Sequence, residues 1–218
     1  MAIGDALAKN STYQNIIDLA KIKGGALLDA FPTDSLLIKQ ISLACQKWAK
    51  ILIGVEHPFY VKPEVSISIT GSANPYSVNL TGQNPFPEKV LNVVHKTTGG
   101  TRTLVNLVSP IEAENFLALT NTNATSIVGV WEGDSINLYA GGSFTITTAS
   151  DACLVTYIRQ AIVSSVTVSS YPDVPDSIIP VVIAEVIADI KSGKGMDITR
   201  ETKYIDDTYA EIMKGTVS

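Results

Sequence analysis

The sequence predicts an α+β fold, in which a helical bundle built from the N- and C-terminal helices carries an inserted antiparallel β-sandwich or barrel module. Near both ends of the 218-residue chain, apolar residues recur at helical spacing. Between them, short stretches alternate apolar and polar residues and are separated by turns rich in Gly, Pro and Asn. We therefore predict a helical bundle formed by residues 1–56 and 172–218, and an antiparallel β module over residues 57–171.

Two helices are predicted in the first part of the chain. The stretch STYQNIIDLAKIKGG has Ser11 or Thr12 as its N-cap. A longer helix is predicted in SLLIKQISLACQKWAKILIG, which ends at Gly54. Each helix has one apolar face that it cannot bury alone. The residues of these faces are Tyr13, Ile16, Ile17 and Ala20 in the first helix, and Leu37, Ile41, Ala44, Cys45, Trp48 and Leu52 in the second.

The middle of the chain is predicted to be β structure. In EVSISIT, apolar and polar residues alternate, which is typical of a strand with one buried face. HKTTGGTR and WEGDSI contain the turns of hairpins, and SPIEAENFLALTNTN adds a short helix or lid. Short strands at this spacing favour either a sandwich or a small barrel. The other predicted strands are SVNL, KVLNVVHK, TRTLVNLV, TSIVGVW, SINLYA, SFTITT, ACLVTYIR and SSVTVSS.

The last part of the chain returns to helix. In IIPVVIAEVIADI, Pro180 falls in the first turn, where its missing N–H does little harm. This helix is apolar over most of its circumference, and a final helix is predicted in DITRETKYIDDTYAEIMKG. We expect the apolar helix to pack against the helices from the first part of the chain. Its polar face is predicted to carry Glu185, Asp189 and Lys191.

The composition has few charged residues for a water-exposed surface. Hydrophobic residues make up 45% of the chain and charged residues 17%, and the mean hydropathy is +0.22. The charged fraction lies below the roughly 25% typical of soluble domains. Either part of the surface is buried against other subunits, or Ser, Thr and Asn cover it.

Charge and hydropathy also limit the partners. The net charge is −5, and no run of Lys and Arg is present, so we expect no surface that grips nucleic acid. The apolar stretch 178–190 is too short to span a bilayer and contains Pro180, Glu185 and Asp189, so we expect no membrane association. The first residues lack the basic and apolar regions of a secretory signal.

No pattern in the sequence predicts catalysis, a cofactor or a metal site. His57 and His95 have few acidic neighbours, and we interpret both as surface or loop residues. Cys45 and Cys153 lie among apolar residues without CxxC spacing, so we expect buried free thiols rather than a zinc site. The glycine-rich stretches lack the spacing of a phosphate loop, and GxSxG is absent. We therefore predict that the chain is not an enzyme and binds no cofactor.

The last third of the chain resembles a known family. LVTYIR is followed by a loop marked by Pro175, an apolar helix, and a final helix in which Tyr204, Tyr209 and Ile212 follow the pattern tyrosine-x₄-tyrosine-x-x-hydrophobic. This order resembles the C-terminal half of bacteriophage head-to-tail adaptor proteins. The overall plan is similar to the tail tubular A proteins of short-tailed phages and to the neck ring proteins of crAss-like phages.

The resemblance implies a structural protein of the virion neck or tail, made in the host cytoplasm. It implies a homo-oligomeric ring of twelve copies that lies between the portal protein and a tail or further ring protein. DNA would pass through the lumen of this ring without specific binding. The contacts with neighbouring copies and the portal would involve Ile178, Val182, Val186, Tyr204, Tyr209 and Ile212.

Two other classes of function remain open from the sequence. A β-rich tail or surface decoration module would bind a receptor or glycan through Tyr60, Tyr76 or Trp131 at loop tips. A hydrolase with an unrecognised site would depend on His57 or His95.

Overall fold

The computed structural model describes residues 11–25, 27, 34–119, 126–162 and 166–215, without the side chains of Asp34 and Leu119. The chain divides into two compact units. The helical unit comprises the described residues of Met1–Tyr60 and Ala161–Ser218, and the barrel unit is Val61–Gln160. The fold is α+β, as predicted.

The described residues form five α-helices, eight strands and two short 3₁₀ turns. The helices are α1 (Tyr13–Gly24), α2 (Asp34–Gly54), α3 (Pro110–Leu119), α4 (Ile179–Gly193) and α5 (Thr199–Met213). The 3₁₀ turns are Pro58–Tyr60 and Asp176–Ile178. The strands are β1 (Val61–Ile67), β2 (Ile69–Thr70), β3 (Tyr76–Asn79), β4 (Pro87–Lys96), β5 (Arg102–Leu107), β6 (Ile127–Glu132), β7 (Ser135–Ala140) and β8 (Cys153–Arg159).

The first helix begins at a complete cap. The Thr12 side chain accepts the N–H of Asn15 at 3.3 Å, as predicted for one of the two candidate caps. The next free N–H groups, those of Tyr13 and Gln14, donate to the carbonyls of Ser170 and Val168 at 3.0 Å each. A segment far along the sequence therefore satisfies the backbone groups that a helix N-terminus leaves open.

Helix α4 is the centre of the helical unit. It contacts α1, α2 and α5, so helices from both parts of the chain pack together. Its burial is almost complete around the circumference, which is typical of a helix without a solvent-facing side. The prediction of a polar face is therefore wrong at Glu185, which is only 9% exposed.

The strands form one mixed sheet in the order β1-β8-β4-β5-β6-β7-β3-β2. The two outermost strands, β1 and β2, are consecutive in sequence and are separated only by Ser68. Since one nearly continuous stretch pairs with β8 at one edge and β3 at the other, the sheet nearly closes into a barrel. Between the predicted alternatives of sandwich and barrel, the structure is close to a barrel.

The prediction of a purely antiparallel sheet is wrong at one pair. Strands β5 and β6 run parallel, with Asn106 opposite Val128 and Leu107 opposite Gly129. Parallel neighbours need a crossover connection, and α3 lies in the connection between these two strands. The stretch predicted as a short helix or lid is therefore the crossover helix.

Helix α3 begins with one half of a capping box, in which the Glu112 side chain reaches back to Ser109. The N–H and hydroxyl of Ser109 both donate to the Glu112 carboxylate at 2.8 Å, and Pro110 occupies the first helical position. These hydrogen bonds lower the pKa of Glu112. The helix packs its Ala113 against Val128 and Val130 on β6. Strand β6 is consequently buried on both faces, since Ile127 belongs to the barrel core.

Two predicted strands are absent from the described residues. SFTITT, residues 143–148, is irregular, and its Phe144 and Ile146 pack on the barrel core instead of extending a ladder. In SSVTVSS, residues 164 and 165 lie outside the described ranges, and residues 166–170 form no strand. The apolar residues of the first stretch pack on the core, whereas Val166 and Val168 of the second stretch are exposed and its backbone carbonyls cap α1.

Candidate functional site

Four of the predicted interface residues lie in the interior of the helical unit. Ile178 and Val182 are 0% exposed, Val186 is 1% exposed and Ile212 is 3% exposed. Their side chains therefore have no surface to offer a second chain, and the prediction that they contact a partner needs this correction. Tyr204 and Tyr209, by contrast, are each 45% exposed on α5.

The two exposed tyrosines lie on different sides of α5. They are five positions apart, which corresponds to a rotation of about 140° around the helix. Tyr204 lines a groove of about 320 Å³, which we call the α4–α5 groove. Its other lining residues are Lys23, Pro180, Ile183, Ala184, Ile187, Arg200 and Glu201.

Tyr209 belongs to an exposed stripe that we call the α5 surface. Its members recur at intervals of three and four residues along α5, so they share one side of the helix. All four are exposed, with Tyr209 at 45% and Met213 at 55%. The α5 surface comprises Thr202, Asp206, Tyr209 and Met213.

A second exposed stripe lies on α2, opposite its buried face, and we call it the α2 surface. Leu43 is 63% exposed and Leu36 is 46% exposed, which is unusual for leucines on an amphipathic helix. Beside them runs a groove of about 510 Å³, to which Val166 contributes from another segment of the helical unit. The α2 surface comprises Leu36, Lys39, Leu43, Gln46 and Lys50.

A buried carboxylate links α4 to α2. Glu185 accepts a hydrogen bond from Trp48 Nε1 at 2.7 Å and is ion-paired with Lys47 Nζ. The Lys47 side chain is 56% exposed, so one end of the pair reaches solvent. Burial raises the pKa of the neighbouring Cys45 thiol to about 12, and the Glu185 carboxylate acts in the same direction. The cluster fixes the register of two helices and leaves the thiol protonated.

Sequence reasoning missed Glu185 because acidic residues are ordinarily solvated. The sequence did contain a signal of burial. Val181 and Ala188, four residues before and three residues after Glu185, share its side of the helix, and both are apolar and buried. A carboxylate between apolar neighbours on its own face must find donors inside the protein.

A small cavity of about 30 Å³ lies in the helical unit, lined in part by Tyr13, Ser42, Cys45 and Asp173. It has room for one water molecule. Burial raises the pKa of Tyr13, while a hydrogen bond with Ser42 acts in the opposite direction. A volume of about 30 Å³ is too small for an organic ligand.

Both histidines are buried, so the prediction of a surface position is wrong for both. His57 does lie in a loop, directly before the 3₁₀ turn, whereas His95 lies on strand β4. His57 is 5% exposed, and its Nδ1 accepts the N–H of Phe59 at 3.2 Å. His95 is 0% exposed, and its Nε2 accepts the N–H of Thr147 at 2.9 Å. Burial lowers the pKa of His95. Its position two residues after the inward-facing Val93 would have predicted this burial.

Of the three aromatic residues predicted to bind a glycan at loop tips, Tyr60 is buried and the other two are only partly exposed. Tyr60 is 0% exposed, and its hydroxyl donates to the carbonyl of Asp173. Trp131 packs on the barrel core and donates its Nε1 to the carbonyl of Gly133 at 2.8 Å. Tyr76 also packs against that core.

Among the residues that the structure describes, no group of three or more His, Cys, Asp or Glu side chains could hold a metal ion. Within the same ranges, no helix is long and apolar enough to cross a membrane. Cys45 and Cys153 are free and buried, as predicted. No protein-family model matches the chain, and no curated protein is significantly similar to it.

Proposed function

We propose that the protein is a structural component of a phage virion, a head-to-tail adaptor subunit that forms a ring between portal and tail. DNA passes through the lumen of this ring. The sequence order that resembles adaptor proteins corresponds to β8, a loop containing Pro175, the buried helix α4 and the exposed helix α5. This correspondence supports the proposal without identifying the family.

The observation that carries the proposal is the uneven distribution of exposed apolar side chains. Within the described part of the barrel unit, the large hydrophobic residues that lie exposed are Leu104, Leu107 and Ile111. Apolar patches larger than those on an ordinary monomer are typical of surfaces that bind other proteins. In the helical unit, the corresponding residues are Leu19, Ile22, Leu36, Leu43, Ile162, Val166, Val168, Tyr171, Met196, Tyr204, Tyr209 and Met213.

These residues form more than one surface. The groove beside the α2 surface shares no residue with the α5 surface, which lies on another helix of the same unit. A cyclic ring needs two different faces on each subunit, because every copy contacts its two neighbours through opposite sides. Two separate apolar surfaces on one unit meet this requirement.

We infer that α1, α2, α4 and α5 form a four-helix bundle and that this bundle carries the contacts of the ring. The inference is supported by the contacts of α4 with each of the other three helices. The resemblance to adaptor proteins implies the same division, with the β module directed to the tail.

The charge of the chain suits passage of DNA. With a net charge of −5 and no basic run, the chain has no continuous stretch of positive charge that would hold the DNA backbone. Repulsion across a lumen keeps the polymer mobile. The ring therefore needs no sequence-specific contact with DNA.

The proposal is tested with the purified full chain and the portal protein of the same phage. Mass photometry and negative-stain electron microscopy are expected to give rings with a central opening, alone or on the portal. A chain that stays monomeric at all concentrations and never joins the portal would contradict the proposal. Immunogold labelling of virions should mark the neck, and label confined to tail fibres or the capsid surface would favour the decoration module instead.

A further inference from the structure

We propose that the α2 surface of one copy binds the α5 surface of the next copy, so that the subunits associate head to tail. The inference rests on the proposed function, because it identifies the two faces that a ring would use. It is drawn from three properties of the surfaces: the spacing of their residues, their apolar side chains and their opposite charges.

The α2 surface has the spacing of a helix–helix contact. Its residues recur at intervals of three, four, three and four from Leu36 to Lys50, which is the spacing of a coiled-coil seam. This stripe lies opposite the face that α2 buries in its own unit. Leu36 and Leu43 belong to this stripe and are largely exposed. They line the groove to which Val166 contributes. A partner helix can place side chains in this groove.

The α5 surface has matching spacing and length. Thr202, Asp206, Tyr209 and Met213 recur at intervals of four, three and four. At a rise of 1.5 Å per residue this stripe is about 16 Å long, against about 21 Å for the α2 surface. Tyr209 and Met213 supply the large apolar side chains that the groove beside α2 can receive.

The charges of the two helices are complementary. After Asp34, α2 carries no carboxylate, and Lys39 and Lys50 place positive charge on the α2 surface. Its third lysine, Lys47, is already paired with Glu185 of the same chain. Between Lys203 and Lys214, α5 carries Asp206, Asp207 and Glu211 and no cation. Opposite potentials favour encounter of these two helices and fix which faces meet.

The same charges disfavour symmetric pairing. Two α2 surfaces in contact would oppose lysines, and two α5 surfaces would oppose carboxylates, so each like-to-like contact is repelled. A contact between different faces leaves one α2 surface and one α5 surface open on every dimer. Such an association continues until a ring closes or a filament forms.

Chemical cross-linking tests the contact without requiring a stable ring or a portal. We expect the double variant Leu43→Cys with Tyr209→Cys to give a ladder of covalent multimers with a short bismaleimide. Both positions lie near the middle of their stripes, so they approach each other whichever way the helices run. The natural thiols do not compete, because Cys45 is 3% and Cys153 is 0% exposed.

Each single-cysteine variant is the matched control. It should give no covalent multimers after treatment, because its reactive residue meets no second thiol across the contact. Cross-linked dimers of Leu43→Cys alone or of Tyr209→Cys alone would show a symmetric contact and would overturn the proposal. The proposal would also be overturned if the double variant gave no covalent multimers at a concentration at which the wild type assembles. If the wild type shows no assembly, the test is made at the highest soluble concentration.

Charge reversal tests the direction of the contact. An α2 variant with Lys39→Glu and Lys50→Glu, and an α5 variant with Asp206→Lys and Asp207→Lys, should each fail to assemble beyond monomer. When the two variants are mixed in equal amounts, the negative α2 surface of the first can bind the positive α5 surface of the second. The two unchanged surfaces can bind each other as in the wild type. Assembly of alternating copies should therefore return. A chain that carries all four changes should assemble alone, since the charges are exchanged. Wild-type assembly by either single-face variant would overturn the proposal.

The control variants are Lys89→Glu and Glu88→Lys, which reverse exposed charges in the barrel unit and should assemble like the wild type. The two proposals fail in different ways. If the cross-linked multimers form but no multimer binds the portal, the contact stands and the adaptor function is wrong. If the portal binds a chain whose α2 and α5 surfaces do not meet, the adaptor function stands and the contact is wrong.

Discussion

Leu138 and Leu43 are the same residue in opposite surroundings. On β7 of the barrel unit, Leu138 is 0% exposed and packs in the core, whereas on α2 of the helical unit Leu43 is 63% exposed. The barrel unit buries its apolar residues by nearly closing its sheet. The helical unit fills its interior with α4 and still has large apolar side chains on its outer faces. Among the described residues, twelve large apolar side chains are exposed in the helical unit and three in the barrel unit, so the helical unit has the larger apolar surface for a partner.

The sharpest test of this comparison is the same substitution made in both units. Leu138→Ala is expected to lower the free energy of unfolding of the barrel unit by about 2–5 kcal/mol, because it opens a cavity in a closed core. Leu43→Ala should change the stability of the helical unit by less than ~0.5 kcal/mol, since little packing is lost at an exposed position.

Urea denaturation with fluorescence detection can follow the two units separately. Trp48 belongs to the helical unit and Trp131 to the barrel unit, so Trp131→Phe or Trp48→Phe leaves a reporter of one unit. Equal losses of stability in the two leucine variants would contradict the comparison.

The next effect in size concerns the buried carboxylate of the helical unit. Glu185→Leu is expected to lower the free energy of unfolding by about 1–3 kcal/mol, because the Trp48 indole N–H loses its acceptor inside the protein. Glu185→Gln should lose less, since the amide oxygen can still accept that hydrogen bond. Measurement by urea denaturation in the Trp131→Phe background would show the order. A more stable Glu185→Leu variant would mean that desolvation of the carboxylate outweighs its hydrogen bonds.

An effect of similar size is expected in the barrel from added volume. A Cβ atom at Gly129 would lie 3.0 Å from Val105 Cγ1 and 3.2 Å from Leu107 Cδ2. Gly129→Ala should therefore destabilise the barrel unit by about 1–3 kcal/mol through overpacking, less than the cavity at Leu138 does. Gly54→Ala is the control, since a Cβ there meets no atom within 4 Å. Thermal unfolding of the two variants gives the comparison.

The smallest effect depends on pH. Burial holds the pKa of His95 below the ordinary value of 6.5, and Nε2 must stay unprotonated to accept the Thr147 N–H. Below pH 6.5 the unfolded chain binds the proton before the folded barrel does, so stability is full above that pH and falls as the pH is lowered. Titration of Asp151 falls outside this pH range, because its hydrogen bond with Lys96 holds its pKa below 3.8.

His95→Gln should therefore show a flatter decline of barrel stability between pH 6.5 and 5 than the wild type, measured by urea denaturation in the Trp48→Phe background. Parallel declines in both proteins would assign the pH dependence to other groups.

Much of the fold follows from local patterns. The apolar faces of α1 and α2 and the Thr12 cap were predicted from spacing alone, and the structure confirms them. The two hairpin turns are confirmed as well, since β4 pairs with β5 and β6 with β7. These features depend on residues close in sequence, which periodicity and turn chemistry describe directly.

The features that sequence reasoning missed depend on distant residues. The parallel pair of β5 and β6, the hydrogen bond between Glu185 and Trp48 and the hydrogen bond between His95 and Thr147 each join segments that no local pattern connects. The burial of Glu185 and His95 alone was readable from their neighbours on α4 and β4. The predicted interface failed at Ile178 and its buried companions for a related reason. Apolar spacing shows that a helix face is covered but does not show whether its own chain or another covers it.

The completion of α1 by the carbonyls of Val168 and Ser170 bears on how the protein emerges from the ribosome. Every strand of the barrel unit lies in one continuous segment, so that unit can fold while the rest of the chain is still being made. The first helix must wait until translation has passed residue 170 for its opening turn, and until α4 is synthesised for its packing partner. During that interval its apolar face is open to chaperones.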